Sequence, residues 1–449
     1  MKREIILEDT TVGIFGLGET GLAIVDFLKA KNISTLLFDD NPSSRAKAFV
    51  KNLGLEIHLT NTESDLSRLI QTMDIFIPTP GLPDSHWIYK YINQFGIPTH
   101  SEFDLAAQFD DRPLIAITGT NGKTTVTMMV KEMLLSSGIK AEAVGNTDIP
   151  LIRAIQDPSI EKFVVEASSF RLAHSSCFFP EVSVWLNFSP DHLDVHENLK
   201  TYENAKASIW KHHTRRNVAI GNAEDEVVMD HIPKEGVVKT FGRDSGDNKV
   251  TDGYLTVNNE KLIKVSELQR TSRHDILNAL AAATVAMDSG AEINAIKKVL
   301  AEFKGLPHRI ALIGEREGVS WYNDSKSTTP HSVLAAVSGF ENVILLAGGR
   351  NKGLDLNVLT PVQEHVKHLV AIGEAADEIA QVFQEILSIS KANSMYEAVE
   401  IALECSDKGD VVLLSPGCTS FDWYGSYVER GEDFERIVQS LIGVKIGNN

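Results

Sequence analysis

Thr118-Gly119-Thr120-Asn121-Gly122-Lys123-Thr124-Thr125 stands between an apolar, β-branched run, Leu114–Thr118, and a stretch with helical periodicity, Thr124–Ser136. A strand that turns through glycines into a helix gathers backbone N–H groups around a phosphate chain at the positive end of the helix. The ammonium of Lys123 can neutralise the terminal phosphates, and the hydroxyl of Thr124 can ligate Mg²⁺. The stretch departs from the general GxxxxGK[ST] pattern, because Ile117 holds the place of the first glycine. Strand, turn, lysine and helix still fall in order, so this part of the chain reads as a phosphate loop in a parallel α/β unit. Nucleotide hydrolysis or phosphoryl transfer follows from it, without saying which.

Working outward, a second glycine-rich turn lies near the start. Gly16-Leu17-Gly18-Glu19-Thr20-Gly21 follows the predicted strand Thr11–Phe15 and opens the predicted helix Gly21–Lys31, and Asp39 ends the next strand, Thr35–Asp39. This is a dinucleotide-binding layout, with glycines for close approach to a phosphate and an acid for a ribose. A ligand-free tight turn, an NAD site and a nucleotide-sugar site all fit it. Further predicted strands are Asp74–Pro78, Phe163–Glu166, Val182–Asn187, Val343–Ala347, Leu369–Ile372 and Asp410–Leu414; Ser272–Asp288 reads as a helix with an alanine face and Gly242–Asp252 as an inserted loop or hairpin. Strands alternating with helices imply parallel sheets. Breaks near 107–112 and at Gly305-Leu306-Pro307 divide the chain into 1–109, 110–306 and 307–449. The expected fold is α/β in three domains: Rossmann-like, phosphate-loop with a mainly parallel sheet, and Rossmann-like again.

Composition narrows the function. A chain of 449 residues exceeds one hydrophobic core, and 61 acids against 43 bases give a net charge of −18. A nucleic-acid wrapping surface needs clustered cations, so that class is set aside, while a small anion held by a few amides and one lysine is not. Cys177, Cys405 and Cys418 form neither a disulfide framework nor a CxxC knuckle. Acids interrupt Met1–Asp9, and charge breaks every apolar run before roughly 18 residues, so neither a secretory leader nor a membrane span is expected. A cytoplasmic protein, expected to be a monomer, is the resulting reading.

The motifs together resemble a known family. TGTNGKTT is the phosphate loop of Mur ligases and folylpolyglutamate synthetases, and GLGETG (16–21), TPGLP (79–83), GNTDIP (145–150), VEASSFRL (165–172), NFSPDHLD (187–194), YENAK (202–206), RHDILNALAAA (273–283), LPHR (306–309), NDSKST (323–328), AGGRNKG (347–353) and SPGCTSFDWY (415–424) extend the resemblance to Mur ligases from end to end. It implies an ATP-dependent ligase that phosphorylates a carboxylate and lets an amine displace the phosphate. The closing SPGCTSFD run and the short length imply UDP-N-acetylmuramoyl-L-alanine and D-glutamate as substrates.

By the same resemblance, the loop residues Gly119, Thr120, Asn121, Gly122, Lys123, Thr124 and Thr125 would hold ATP with Asn278, Arg309 and Asp324. Mg²⁺, in two sites, would take Thr124, Glu166, His192 and Lys206, the last as a carbamylated lysine. Lys123, His192, Lys206 and Lys326 would be catalytic. Gly18, Glu19, Thr20, Asp39, Thr79, Gly81, Asn146 and Ser168 would bind the UDP-substrate, which turns Asp39 from an NAD acid into a uridine-side one. Thr328, Lys352, Ser420 and Tyr427 would take the amino acid, with Tyr427 standing where the family form has Phe. Asp275 likewise replaces an Asn of the family's HNxxN helix, and His196 is read as a surface or capping residue. Alternatives are a Mur-type ligase using L-glutamate or another amino acid, a folate-polyglutamate ligase, an NAD-dependent dehydrogenase, and a phosphate-loop switch protein. The dehydrogenase has no claim on the second glycine turn, and the switch reading leaves LPHR, NDSKST and SPGCTSFD without purpose.

Overall fold

The computed structural model describes residues 9–59, 63–147, 149–191, 195–351, 354–384 and 386–443. The chain forms two compact units, Met1–Phe303 and Lys304–Asn449. In the first unit, β1 (Thr11–Phe15), β2 (Ser34–Asp39), β3 (Ile57–Leu59) and β4 (Ile75–Pro78) make a sheet of order β3-β2-β1-β4 in which every pair is parallel. The strand order reverses between β1 and β4. The chain leaves β1 at Gly16 and β4 at Thr79, the edge where an open α/β sheet receives ligands.

A second sheet in this unit contains β5 (Leu114–Thr118), β6 (Ala141–Gly145), β7 (Lys162–Glu166), β8 (Val182–Trp185), β9 (Val218–Asn222) and β10 (Val237–Phe241), ordered β10-β9-β8-β5-β7-β6 and parallel throughout. All five residues of β5 are buried, as a central strand covered on both faces must be. From β5 the chain runs first to one side and then to the other, so the phosphate loop after Thr118 leaves the sheet at its switch point. The polar stretch after β10 turns through Gly242, whose N–H donates to Asn248 O (3.1 Å), and then builds an antiparallel sheet of β11 (Lys249–Thr251), β12 (Tyr254–Val257) and β13 (Glu260–Lys264). The hairpin expected at Gly242–Asp252 thus lies mostly beyond it.

The second unit holds β14 (Ala311–Arg316), β15 (Val319–Asn323), β16 (Val343–Gly348), β17 (Val366–Ile372), β18 (Ser388–Ala392) and β19 (Val411–Gly417), ordered β14-β15-β19-β16-β17-β18. Only the β14–β15 edge is antiparallel. The fold is therefore the expected α/β type with mainly parallel sheets. Val182–Asn187 stops short, at Trp185, because Leu186 and Asn187 turn beneath the phosphate loop, where Leu186 N–H donates to Thr118 O (2.9 Å) and Asn187 O accepts from Thr120 N–H (3.1 Å).

One hydrophobic core runs from β1 and β2 through the helix Glu102–Phe109 into β7 and β8, joining Val12, Ile14, Phe103, Leu105, Val165 and Trp185. A buried polar group crosses the same junction. Arg171 donates to Glu102 Oε2 (2.7 Å) and to Thr20 Oγ1 (2.9 Å), and Glu102 Oε1 accepts the Ile152 N–H (2.7 Å). No helix among the described residues is long and apolar enough to cross a membrane, and the three cysteines are free thiols.

The turn after β1 is packed to the limit of glycine. A Cβ on Gly21 would lie 1.9 Å from Gly16 O, and one on Gly16, at φ +88, would lie 2.1 Å from Thr79 Oγ1. Gly21→Ala is expected to lower stability by about 1–3 kcal/mol through forced backbone movement. Chemical denaturation of the two proteins measures it, and an unchanged midpoint would show that the turn relaxes freely.

Candidate active site

The phosphate loop is held open by its neighbours. Gly122, at φ +82, starts the helix Lys123–Ser136. A Cβ on it would lie 2.4 Å from Asn278 Oδ1, so the helix Arg273–Asp288 presents Asn278 directly against the loop. Asn121 is clamped from below: its N–H donates to Asn187 Oδ1 (2.9 Å), and its carbonyl accepts from Asn187 Nδ2 (3.1 Å). Thr118 Oγ1 donates to Ala167 O (2.7 Å), while Thr120 Oγ1 meets Tyr202 OH at 3.1 Å and accepts the Ser189 N–H at 3.0 Å. Thr124 and Thr125 lie half-buried in the first helical turn.

Two lysines converge here. Lys123 Nζ donates to Gly119 O (2.9 Å) and Thr120 O (2.8 Å), and Lys206 Nζ donates to the same Gly119 O (2.8 Å). Lys206 comes from the helix Leu199–Ala207 and is 1% exposed, its Nζ 4.5 Å from the Tyr202 ring centroid. Burial, and then the nearby Lys123 ammonium, hold Lys206 well below the usual lysine range, against a smaller opposing pull from Asp191.

At the carboxyl end of β7, beside β5, Glu166 is 2% exposed. Its Oε1 accepts from Asn146 Nδ2 (3.1 Å) and its carbonyl from Asn146 N–H (2.9 Å), so Glu166 and Asn146 are brought together. Glu166 Oε2 and Ser168 Oγ are buried without a hydrogen-bond partner among the described residues. Buried oxygens rarely go unpaired, and hard oxygen donors beside a phosphate loop suit Mg²⁺. No set of three His, Cys, Asp or Glu side chains among the described residues forms a metal cluster by itself. His192 lies outside the described residues. A magnesium ion that shares its shell with phosphate oxygens and water needs few protein ligands.

His196 corrects the expectation of a surface or capping role. It is 2% exposed, stacks on Phe170 (5.3 Å between centroids), meets Ser169 Oγ through Nε2 (2.9 Å), and faces Asp84 Oδ2 with Nδ1 at 3.5 Å. Asp84 N–H in turn donates to Val195 O (3.2 Å), tying the turn after β4 to the segment that follows His192. Asp275 also has a local reason. It accepts from Ser272 Oγ (2.6 Å) and Arg270 Nε (3.0 Å), while Ser272 caps the same helix by accepting the Asp275 N–H (3.3 Å). Its carboxylate thus favours the positive helix start, and His274 beside it is exposed.

Around the first sheet, Asp39 Oδ2 accepts the Leu17 N–H (2.7 Å) and Oδ1 the Asn41 N–H (2.8 Å), so this acid shapes the glycine turn from beneath. Glu19 pairs with Arg45 and lies 3.8 Å from Arg153. Thr20 is buried under Arg171. Thr79 N–H donates to Phe15 O (2.9 Å), and added Cβ atoms on Gly18 or Gly81 would meet nothing within 4 Å, leaving space outside both turns. Arg171 and Glu102 had no part in the sequence reading. The signal was an arginine inside an apolar helix directly after Glu166. Burial pushes the Glu102 carboxyl up, against the pull of Arg171.

In the second unit, the loops after β15 and β19 are joined. Asp324 N–H donates to Leu414 O (2.8 Å), Ser415 Oγ to Asp324 Oδ2 (2.7 Å), and Gly417 N–H to Ser327 O (2.9 Å). Burial raises the Asp324 carboxyl to about 6, opposed by bonds from Ser327, Ser415 and Ile310 and by nearby Arg309. Lys326 Nζ lies 5.1 Å from the Tyr427 ring centroid, a cation–π distance. Tyr427 opens the helix Tyr427–Ile442 behind its cap, Ser426. Thr328 is half-buried and Ser420 buried in the same loop set. Lys352 lies outside the described residues.

Comparison with known proteins matches this layout along the chain. The N-terminal domain of MurD-like Mur ligases matches residues 10–100, the Mur ligase middle domain 117–286, and the Mur ligase glutamate ligase domain 308–418. A UDP-N-acetylmuramoylalanine–D-glutamate ligase of Legionella pneumophila is 34% identical over 446 residues, spanning 95% of this chain and 98% of that relative. The proteins of that name from Bdellovibrio bacteriovorus and Geobacillus kaustophilus are each 33% identical, over 97% and 98% of this chain and 98% and 100% of their own lengths. Among solved structures, MurF from Acinetobacter baumannii has a TM-score of 0.55 at 17% identity, covering 83% of this chain and 87% of its own. UDP-N-acetylmuramate–alanine ligase MurC from Thermotoga maritima has 0.53 at 17%, covering 96% and 99%; at such identity these two show the shared fold. With the phosphate loop, the buried lysine and all three domains matched, the chain belongs to the Mur ligase family, in its MurD-like branch.

Proposed function

We propose that the chain is an ATP-dependent ligase that joins D-glutamate to the carboxylate of UDP-N-acetylmuramoyl-L-alanine, a cytoplasmic step of peptidoglycan precursor synthesis. The observation that carries this reading is the phosphate loop, in which Lys123 and Lys206 reach one carbonyl, that of Gly119, directly after β5, the strand beside Glu166. Nearly full-length likeness to ligases named for this reaction supports the choice of substrates.

The chemistry begins with transfer of the γ-phosphoryl group of ATP to the substrate carboxylate. The amine of D-glutamate then attacks the acyl phosphate, losing a proton and expelling phosphate as the amide forms. Lys123 turns from the loop carbonyls to the γ-phosphate, where a positive charge is stabilising only once negative charge gathers. Thr124, Glu166 and His192 are the proposed holders of Mg²⁺, together with Lys206 once carbamylated, and Mg²⁺ bound there spreads the charge on the transferring oxygens. Addition of the unprotonated Lys206 amine to CO₂, with release of one proton, would leave an anionic carbamate facing the Lys123 ammonium, an attractive pairing. Gly18, Glu19, Thr20, Thr79, Gly81, Asn146 and Ser168 are assigned to the UDP-substrate, with Asp39 acting through the Leu17 amide it holds. Asn278, Arg309 and Asp324 are assigned to ATP, Lys326 to the reacting groups, and Thr328, Lys352, Ser420 and Tyr427 to the amino acid.

Phosphate release from ATP and Mg²⁺ with UDP-N-acetylmuramoyl-L-alanine is expected only with D-glutamate, and product mass should rise by one glutamyl residue. Release with L-glutamate alone would move the amino-acid assignment to the hydroxyl of Tyr427. Lys123→Ala is expected to lower turnover on the order of a thousandfold or more; full activity in this variant would misplace the phosphate site. Enzyme equilibrated with ¹³C-bicarbonate near neutral pH should show a carbamate carbonyl signal in ¹³C NMR, lost in Lys206→Arg. A signal that survives that substitution would rule Lys206 out as the carbamylated residue.

A further inference from the structure

Arg430, in the helix Tyr427–Ile442, is 2% exposed, yet no carboxylate among the described residues pairs with it at ion-pair distance. Its hydrogen bonds all go to neutral oxygens. Nε donates to Ser325 Oγ (3.0 Å), Nη2 to Ser325 O (2.9 Å) and Nη1 to Cys418 O (3.1 Å). Ser325 Oγ in turn donates to Tyr427 O (2.8 Å). A third loop closes on the same group, for a Cβ on Gly349 would lie 3.1 Å from Arg430 Nη1 and 2.2 Å from Thr419 O. Arg350 and Thr419 bridge these two loops through paired backbone bonds of 2.9 and 3.1 Å.

The loops leaving β15, β16 and β19 therefore meet at one guanidinium. Three of the residues assigned to the amino acid or its reaction in this unit stand close in sequence to an atom that Arg430 holds or that Ser325 holds in turn. Lys326 follows Ser325, Ser420 comes two positions after Cys418, and Tyr427 lies one helical turn before Arg430. Lysine has a single point donor and could not reproduce a fork that spans Ser325 and Cys418. A buried charge without an acid partner is costly, and its field reaches far in a low-dielectric interior. Burial brings the guanidinium down to about 10, opposed first by the Asp422 carboxylate of the loop after β19, so it stays charged at neutral pH.

We propose that Arg430 is the positioning residue of the amino-acid pocket, fixing the spacing of Lys326, Ser420 and Tyr427. The inference rests on the reading that this unit binds D-glutamate. It is tested with Arg430→Lys, Arg430→Met and Ser325→Ala, measuring KM for D-glutamate and for UDP-N-acetylmuramoyl-L-alanine separately, with melting temperatures alongside. Loss of one charge-assisted hydrogen bond is roughly a tenfold effect. KM for D-glutamate is expected to rise by about tenfold in Arg430→Lys and further in Arg430→Met, with a smaller rise in Ser325→Ala. KM for the UDP-substrate, whose assigned contacts all lie between residues 18 and 168, should stay within about twofold. Unchanged KM for D-glutamate in the folded variants overturns the proposal, as does a parallel rise in both KM values with a fall in melting temperature. A wild-type protein that releases no phosphate in response to D-glutamate would instead overturn the functional reading beneath it.

Discussion

The carbonyl oxygen of Gly119 is the constraint on which the site depends. Two amine-bearing side chains donate to it, one from the loop itself and one from a helix that begins eighty residues further on. Two unit charges about 4 Å apart repel by about 4 kcal/mol in the effective dielectric of a protein site. The protein has two ways out of that conflict. Lys206 can give up its proton in the interior, or an anion can enter between the two groups. Glycine is needed at 119 for the same geometry, because a Cβ there would press on Leu186 Cβ at 3.0 Å. The loop is thus poised for anions by what surrounds it as much as by its own amides.

The three mainly parallel sheets repeat one solution. Each reverses its strand order, and in each, loops from the carboxyl ends of neighbouring strands are drawn together by hydrogen bonds. Asp39 does this for the first sheet, Thr118 and Asn187 for the second, and Asp324 with Arg430 for the third. These side chains spend their polar atoms on the protein, so the residues beside them remain free to meet ligands in a fixed arrangement.

Legibility in the sequence followed that division. The glycine turns, β1, β5, β7 and the helices that start at Lys123 and Arg273 were readable because their periodicity and turn chemistry are local. Strands β14 and β18 escaped because they lie at sheet edges, half exposed, with polar residues that carry no apolar run. The pairing of Asn146 with Glu166, the burial of His196, the capping duty of Asp275 and the internal bonds of Asp39 were not legible, since each depends on partners that only the folded chain brings near. Arg171 and Arg430 were invisible for the same reason: an arginine inside an amphipathic helix looks solvated until its neighbours are known.

The junction at Arg171 has a bearing on how such proteins can be recombined. Domains that bind different sugar nucleotides look exchangeable, since the first sheet folds from a contiguous stretch of chain. Here Thr20 belongs to that stretch, Glu102 to the connecting helix and Arg171 to the second sheet's surroundings, and one guanidinium is shared among them. A chimera that exchanged only the first sheet would replace the Thr20 hydroxyl, whereas a cut between Glu102 and Arg171 would strand a buried cation or bury an acid with no counter-charge. The graft boundary set by energetics must therefore keep Glu102 and Arg171 together.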